Sequence, residues 1–150
     1  MTDIIIYTDG ACSGNPGAGG WGVVVINNTD IEKFNGYEKD TTNNRMELMA
    51  AIQGIAKQKV GSKIILYTDS KYVKDGISSW VINWKKNNWL TSAKKPVKNK
   101  DLWERLDALC ESYHVVWKWV RAHQEDLSDE TIYNNMADEL ARDGIRKWKD

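Results

Sequence analysis

Ile4-Ile5-Ile6-Tyr7-Thr8-Asp9-Gly10 returns further along the chain as Ile64-Ile65-Leu66-Tyr67-Thr68-Asp69-Ser70. Each copy is an unbroken run of β-favouring apolar residues, the pattern of a strand buried on both faces. Each ends in Tyr-Thr-Asp followed by a small residue. If the two strands are parallel neighbours, Asp9 and Asp69 leave the sheet at the same edge, where open α/β sheets place ligands. Two carboxylates brought close together repel unless a cation joins them or one takes a proton. Oxygen-only ligands select hard cations such as magnesium or manganese. One Asp alone would serve equally well as a cap for the turn or helix after it; the matched pair favours a shared site.

Outward from these two runs, the intervening segments fall into place. Between Gly10 and Gly22 stand five more glycines (counting Gly22) and Pro16, which reads as a turn. Residues 21–26 read as a second strand, 27–30 as turn chemistry and 31–38 as a third strand, so the first three strands form an antiparallel meander. Asn43 or Asn44 is placed to cap a helix whose apolar residues Leu48, Met49, Ile52, Ile55 and Ala56 follow helical spacing. A second helix is expected from Ser70 through Trp84, and a third over 100–113, with Leu102, Leu106 and Leu109 on one stripe. Residues 115–120 read as the fifth strand. The last helix carries Ile132, Met136 and Leu140 at i, i+4 and i+8 as its expected core stripe. The order βββαβααβα, with helices between strands one, four and five, calls for parallel pairing among those three. The expected fold is α/β: a mixed five-stranded sheet, strands 1–3 antiparallel and strands 1, 4 and 5 parallel, with helices on both faces.

The chain has 150 residues, 41% hydrophobic and 28% charged, which suits one ordered domain over 1–150. No apolar run approaches the ~20 residues of a membrane span. The start lacks the basic region and the longer apolar run of a signal peptide. Cys12 and Cys110 form neither a disulfide framework nor a zinc pattern. The expectation is a cytoplasmic monomer with no membrane association. Net charge is zero, so a protein-wide basic field is absent. The distribution is uneven: residues 71–100 hold eight lysines and one acid, Asp75, and are therefore +7 against −7 for the rest. Trp80, Trp84, Trp89 and Trp103 lie in or beside this basic segment. At helical spacing such tryptophans are more often core than contact; Trp103 and Trp117 are assigned to the core, and Trp84 is left open.

Two more acids are candidates. Glu47 is read on the first turn of its helix, where an acid also suits the helix dipole. Asp138 is two residues past Met136 and so points roughly 200° from the Met136 stripe, off the expected core face. Around these acids the motifs are specific. Tyr7-Thr8-Asp9-Gly10-Ala11-Cys12-Ser13-Gly14-Asn15-Pro16-Gly17 resembles the opening of the type 1 ribonuclease H family. Thr42-Asn43-Asn44-Arg45-Met46-Glu47 resembles its second motif, Tyr67-Thr68-Asp69-Ser70-Lys71-Tyr72-Val73 its third, and Asn134-Asn135-Met136-Ala137-Asp138-Glu139-Leu140-Ala141 its last. The stretch from Trp80 to Leu106, with its core at about 80–100, is similar to the basic handle of bacterial members. The resemblance runs from Ile4 to about Gly144 in the expected order.

This resemblance implies a metal-dependent endonuclease that cuts the RNA strand of an RNA–DNA hybrid, leaving 5′-phosphate and 3′-hydroxyl ends. It implies Asp9, Glu47, Asp69 and Asp138 as metal ligands. Two magnesium ions, with manganese as the alternative, would sit there with substrate bound. It also implies that Cys12, Asn15, Asn43, Asn44 and Lys71 meet the minor groove and the RNA 2′-hydroxyls. Asparagine suits that task, because a 2′-hydroxyl needs a neutral donor or acceptor. By the same resemblance Thr42 and Asn99 hold one phosphate, Trp80 and Trp84 meet the DNA backbone, and Lys85, Lys86, Lys94 and Lys95 neutralise DNA-strand phosphates. No obligate protein partner is implied.

The histidine motif departs from the family pattern. Bacterial relatives commonly show Gly-His-x-Gly and about ten residues from that histidine to the last aspartate; here Ala122-His123-Gln124-Glu125 is followed by a spacing of 15 and four added acids, Glu125, Asp126, Asp129 and Glu130. His123 is therefore expected to assist proton transfer or product release without being essential. Two other readings stay open: a catalytically weak hybrid-binding module, and another nuclease of the same fold acting on DNA.

Overall fold

The computed structural model describes residues 3–148. β1 (Ile4–Cys12) lies at the centre of a five-stranded sheet of order β3-β2-β1-β4-β5. It pairs antiparallel with β2 (Gly17–Asn27), which pairs antiparallel with β3 (Asp30–Thr41). On its other side it runs parallel to β4 (Lys63–Thr68), and β4 runs parallel to β5 (His114–Trp119). The apolar runs are continuous because both faces of the sheet are covered. On one face Ile6, Val23, Val25, Ile64 and Leu66 join a core with Met46, Leu48 and Ile52 of α1 (Asn43–Ala56) and Leu102, Trp103 and Leu106 of α4 (Lys100–Ser112). On the other, Tyr7 and Val24 pack with Ala137 of α5 (Asp129–Trp148). Successive strand residues thus serve opposite cores. Among the described residues no helix is long and apolar enough to cross a membrane.

Four local expectations are corrected. The glycine-rich stretch is not all turn: β1 reaches Cys12 and β2 starts at Gly17, so Gly19, Gly20 and Gly22 are paired strand residues. A side chain on Gly20 would overlap the Ala141 carbonyl oxygen, and one on Gly22 the Ala137 carbonyl. These glycines exist for the close approach of α5, not for a bend.

The same closeness shifts the expected core stripe of α5. Of that stripe only Ile132, 43% exposed, falls outside the core; Met136 and Leu140 are half-buried against the Tyr7, Val24 and Ala137 cluster, while the buried positions include Thr131, Asn134, Ala137 and Ala141. A helix lying on strand glycines needs small residues at the contact, so side-chain size overrides hydrophobicity there. The cap of α1 is Thr42, whose hydroxyl accepts from the Arg45 amide at 3.2 Å, and not Asn43 or Asn44. Glu47 is consequently the fifth residue of α1, beyond its first turn. Finally, the helix expected from Ser70 to Trp84 is interrupted: α2 (Lys71–Asp75) and α3 (Val81–Lys86) flank a π-helical turn, Gly76–Trp80. Trp103 lies against Gly76 so closely that a side chain at Gly76 would overlap its ring. A π turn widens the helix without abolishing its apolar spacing, so periodicity does not reveal it.

Of the tryptophans, Trp103 is fully buried, while Trp84 and Trp117 are partly buried against the same core.

Candidate active site

The Tyr-Thr-Asp echo becomes geometry in the central strand pair. Tyr7 pairs with Tyr67 and Thr8 with Thr68, the last rung of the parallel ladder. The next residue on each strand is the aspartate. The two tyrosine rings stack at 4.6 Å between centroids, holding the register from the α5 side. Asp9 is still held by β2, opposite Gly22, and is 4% exposed. Asp69 has left β4. Its carbonyl accepts from Trp119 Nε1 at 3.1 Å and its Oδ2 accepts from Asn134 Nδ2 at 3.3 Å. Neither aspartate caps a helix. The cap of α2 is Ser70, whose hydroxyl accepts from the Val73 amide at 3.2 Å, and Asp9 Oδ1 accepts only locally from the Gly10 amide at 2.9 Å.

Glu47 comes from the second turn of α1 and is 6% exposed, with Oε1 buried and without a hydrogen-bond partner. One oxygen from each of Asp9, Glu47 and Asp69 falls within 4.8 Å of the others. Burial, followed by the charge of Glu47 and then of Asp69, raises the Asp9 carboxyl far above the carboxylate range. Burial and the charge of Asp69 likewise raise Glu47. Once ionised, three crowded carboxylates with an unsatisfied buried oxygen form an acceptor-only set, and a hard divalent cation is what such a set accommodates. Asp138 lines the same cleft of about 390 Å³, together with Cys12, Asn43, His123 and Arg142. Its Oδ2 is paired with Arg142 Nη2 at 3.0 Å.

His123 borders the cleft, exposed, with a left-handed φ of 56°, a conformation that glycine adopts without cost and histidine does not. A second, smaller cavity of about 120 Å³ gathers Asn15, Thr42, Asn43, Asn44 and Asn99, and adds Lys98. Arg45 organises this corner: it forms a bidentate pair with Asp101 at 2.9 and 2.7 Å and donates to Asn99 Oδ1 at 3.3 Å. Asn99 in turn donates to the Tyr72 hydroxyl at 3.0 Å.

The basic segment forms a third concavity lined by Trp84, Lys86 and Lys94; Lys95 is exposed nearby. Lys85 faces elsewhere, paired with Asp107 at 3.1 Å and Glu111 at 3.5 Å of α4. Trp80 is 38% exposed, its ring against Tyr72 and Trp84. Lys71 lies over the Trp119 ring, 4.9 Å from its centroid.

Sequence reasoning does not single out Arg142, Arg45, Lys98 and Trp119 as site residues, and it places Asn134 in the last motif without assigning it a role. Arg142 follows Asp138 by one helical turn; that spacing is the available signal.

Comparison with known proteins agrees with this architecture. A family model described as RNase H matches residues 1–146. The ribonuclease H of Maricaulis maris is 53% identical over 97% of this chain and 95% of its own length. That of Brucella anthropi is 51% identical over 99% of this chain and 94% of its own. Among solved structures, LC9-RNase H1, described as a type 1 RNase H with the type 2 active-site motif, superimposes with a TM-score of 0.80. It is 29% identical, over 96% of this chain and 72% of that one. LC11-RNase H1, solved in complex with RNA/DNA hybrid, shares the fold with a TM-score of 0.69 at 23% identity, over 99% of this chain and 100% of that one.

Proposed function

The chain belongs to the RNase H family, and we propose that Asp9, Glu47, Asp69 and Asp138 are the carboxylates at which it works. The activity is hydrolysis of the RNA strand of an RNA–DNA hybrid, giving in this reading 5′-phosphate and 3′-hydroxyl ends. The observation that carries the site assignment is the convergence of Asp9, Glu47 and Asp69 within 4.8 Å around a buried, unpartnered glutamate oxygen.

Asp9, Glu47 and Asp69 would hold the divalent cation, magnesium or in its place manganese, and Asp138 would complete a ligand set with charge enough for two ions when substrate is bound. Such an ion supplies Lewis-acid stabilisation of phosphate charge and lowers the pKa of the attacking water. The protein does the rest. Asn134 and Trp119 orient Asp69 from opposite ends. His123, on the rim of the cleft, assists either by passing a proton to the departing 3′ oxygen or by helping the product leave. Cys12, Asn15, Asn43, Asn44 and Lys71 meet the minor groove and the 2′-hydroxyls that distinguish RNA. The Thr42–Asn99 corner receives one phosphate, and Trp80, Trp84, Lys86, Lys94 and Lys95 follow the DNA backbone. In this reading the working unit is a single domain over 1–150, acting as a monomer in the cytoplasm.

The test is a labelled hybrid incubated with magnesium, manganese or chelator, beside Asp69→Asn. Metal-dependent cleavage of the RNA strand alone, lost in the variant, is the expected result. Binding without cleavage would instead mark a hybrid-binding module, and cleavage of duplex DNA another nuclease of this fold.

A further inference from the structure

Asp138 is the one proposed ligand that stands outside the tight carboxylate set. Asp9, Glu47 and Asp69 are within ligand distance of one another, whereas Asp138 Oδ2 faces the guanidinium of Arg142 at 3.0 Å. Arg142 is one turn further along α5 and also lines the cleft. A second partner keeps it there: Glu139 Oε2 accepts from the same Nη2 at 2.9 Å. Glu139 is shared in turn with Arg146, at 3.4 Å, and Arg146 pairs with Asp143 at 2.9 Å.

A fully exposed i,i+4 pair contributes little to helix stability. This pair is different, because the Asp138 side chain is only 15% exposed and looks onto three other carboxylates. A fourth negative charge there needs a counter-charge. A cation arriving at Asp138 and the Arg142 guanidinium want the same oxygen, and Arg142 has Glu139 to retreat to without moving its backbone.

We propose that Arg142 is a resident competitor for the divalent cation at Asp138. The fourth carboxylate becomes a ligand only when the guanidinium withdraws to Glu139, so the site loads in two stages, the buried three first and Asp138 second. This rests on the carboxylate-site reading above.

The test is calorimetric titration with Mn²⁺ alone, without nucleic acid, on the wild-type chain, R142Q, R142K and R146Q, and on D138N with and without R142Q. R142Q should bind about twofold to fivefold more tightly, the scale of a partly screened ion pair. R142K, which keeps the competing charge, should stay near wild type. R146Q removes an arginine of the same helix that does not touch Asp138, and should also stay near wild type. The gain from R142Q should vanish in D138N. Unchanged affinity in R142Q, an equal gain in R146Q, or a gain that survives D138N would each overturn the proposal. Arg142 is half exposed, so R142Q is expected to fold, and R142K tests the charge should it not. Failure of the site reading itself shows separately, as no Mn²⁺ uptake by the wild-type chain.

Discussion

Asn134 donates from Nδ2 to Asp69 Oδ2 at 3.3 Å, tying the second turn of α5 to the carboxylate that follows β4. Asn134 is 1% exposed and its own Oδ1 is buried without a partner. A neutral amide there fixes Asp69 without adding charge. Asn134→Asp is the sharp substitution, since it replaces the donor with a fifth carboxylate. Steady-state cleavage assays should show a fall of about 100-fold, and Asn134→Ala a smaller loss of about tenfold, the scale of one hydrogen bond to a charged group. Equal activity of Asn134→Asp and wild type would remove Asn134 from the site.

The crowded acids make stability depend on pH. Burial and neighbouring charges raise Asp9 and Glu47 in the folded chain, so the folded state holds protons that the unfolded state has already released above about pH 4. The contribution of these two carboxyls to stability is therefore fully present below that value and declines as pH rises until they ionise. Thermal melts in chelator should fall from pH 4 towards pH 8. Asp9→Asn should flatten that slope and abolish cleavage. Magnesium should recover much of the loss at high pH. A melting temperature that rises over this range would contradict the assignment.

The basic segment divides by what each lysine already touches. Lys86, Lys94 and Lys95 are exposed, while Lys85 is engaged by Asp107 and Glu111. Replacing Lys86, Lys94 and Lys95 with glutamine should weaken hybrid binding and reduce the salt slope by about one for each phosphate that is no longer neutralised. Lys85→Gln should change the slope less. Binding measured by fluorescence anisotropy across salt concentrations decides this; an unchanged slope in the triple variant removes the segment from the interface.

His123 is exposed on the rim of the cleft with φ at 56°. His123→Ala should lower kcat by about 10- to 100-fold, at the low end of general acid–base effects, and leave measurable activity where Asp69→Asn leaves none. His123→Gly should lose similar activity but melt higher than His123→Ala, because glycine accepts the left-handed backbone. Activity of His123→Ala as low as that of Asp69→Asn would make His123 essential.

Gly22 tests the packing that places Asp138. Gly22→Ala would push a methyl group into the Ala137 carbonyl and displace α5 from the sheet. The cost should be about 2–3 kcal/mol in chemical denaturation, the usual scale of overpacking. A neutral result would mean that α5 is free to slide.

The Tyr-Thr-Asp echo carried the architecture in the sequence. Apolar runs of strand length with helices between them leave few topologies, because buried backbone must be paired and parallel strands need crossovers. Asp9 and Asp69 were legible for the same reason: they end runs that the sheet aligns rung by rung. Other features depended on contacts between residues distant in the chain. Periodicity marked Ile132, Met136 and Leu140 as the face of α5, yet Ile132 is exposed, Met136 and Leu140 only flank the core, and the closest contact is made by Ala137 and Ala141, because glycines of β2 bring the helix too close for larger side chains. Lys85 is one more lysine in a basic run until α4 supplies Asp107 and Glu111. Asp138 is one more acid on a helix until the cleft sets it beside three others and Arg142 claims it. Residue type and spacing are local quantities and determined which elements form and where the acids stand. Which charges meet, and which side chain is small enough to be buried, are set by distances across the fold.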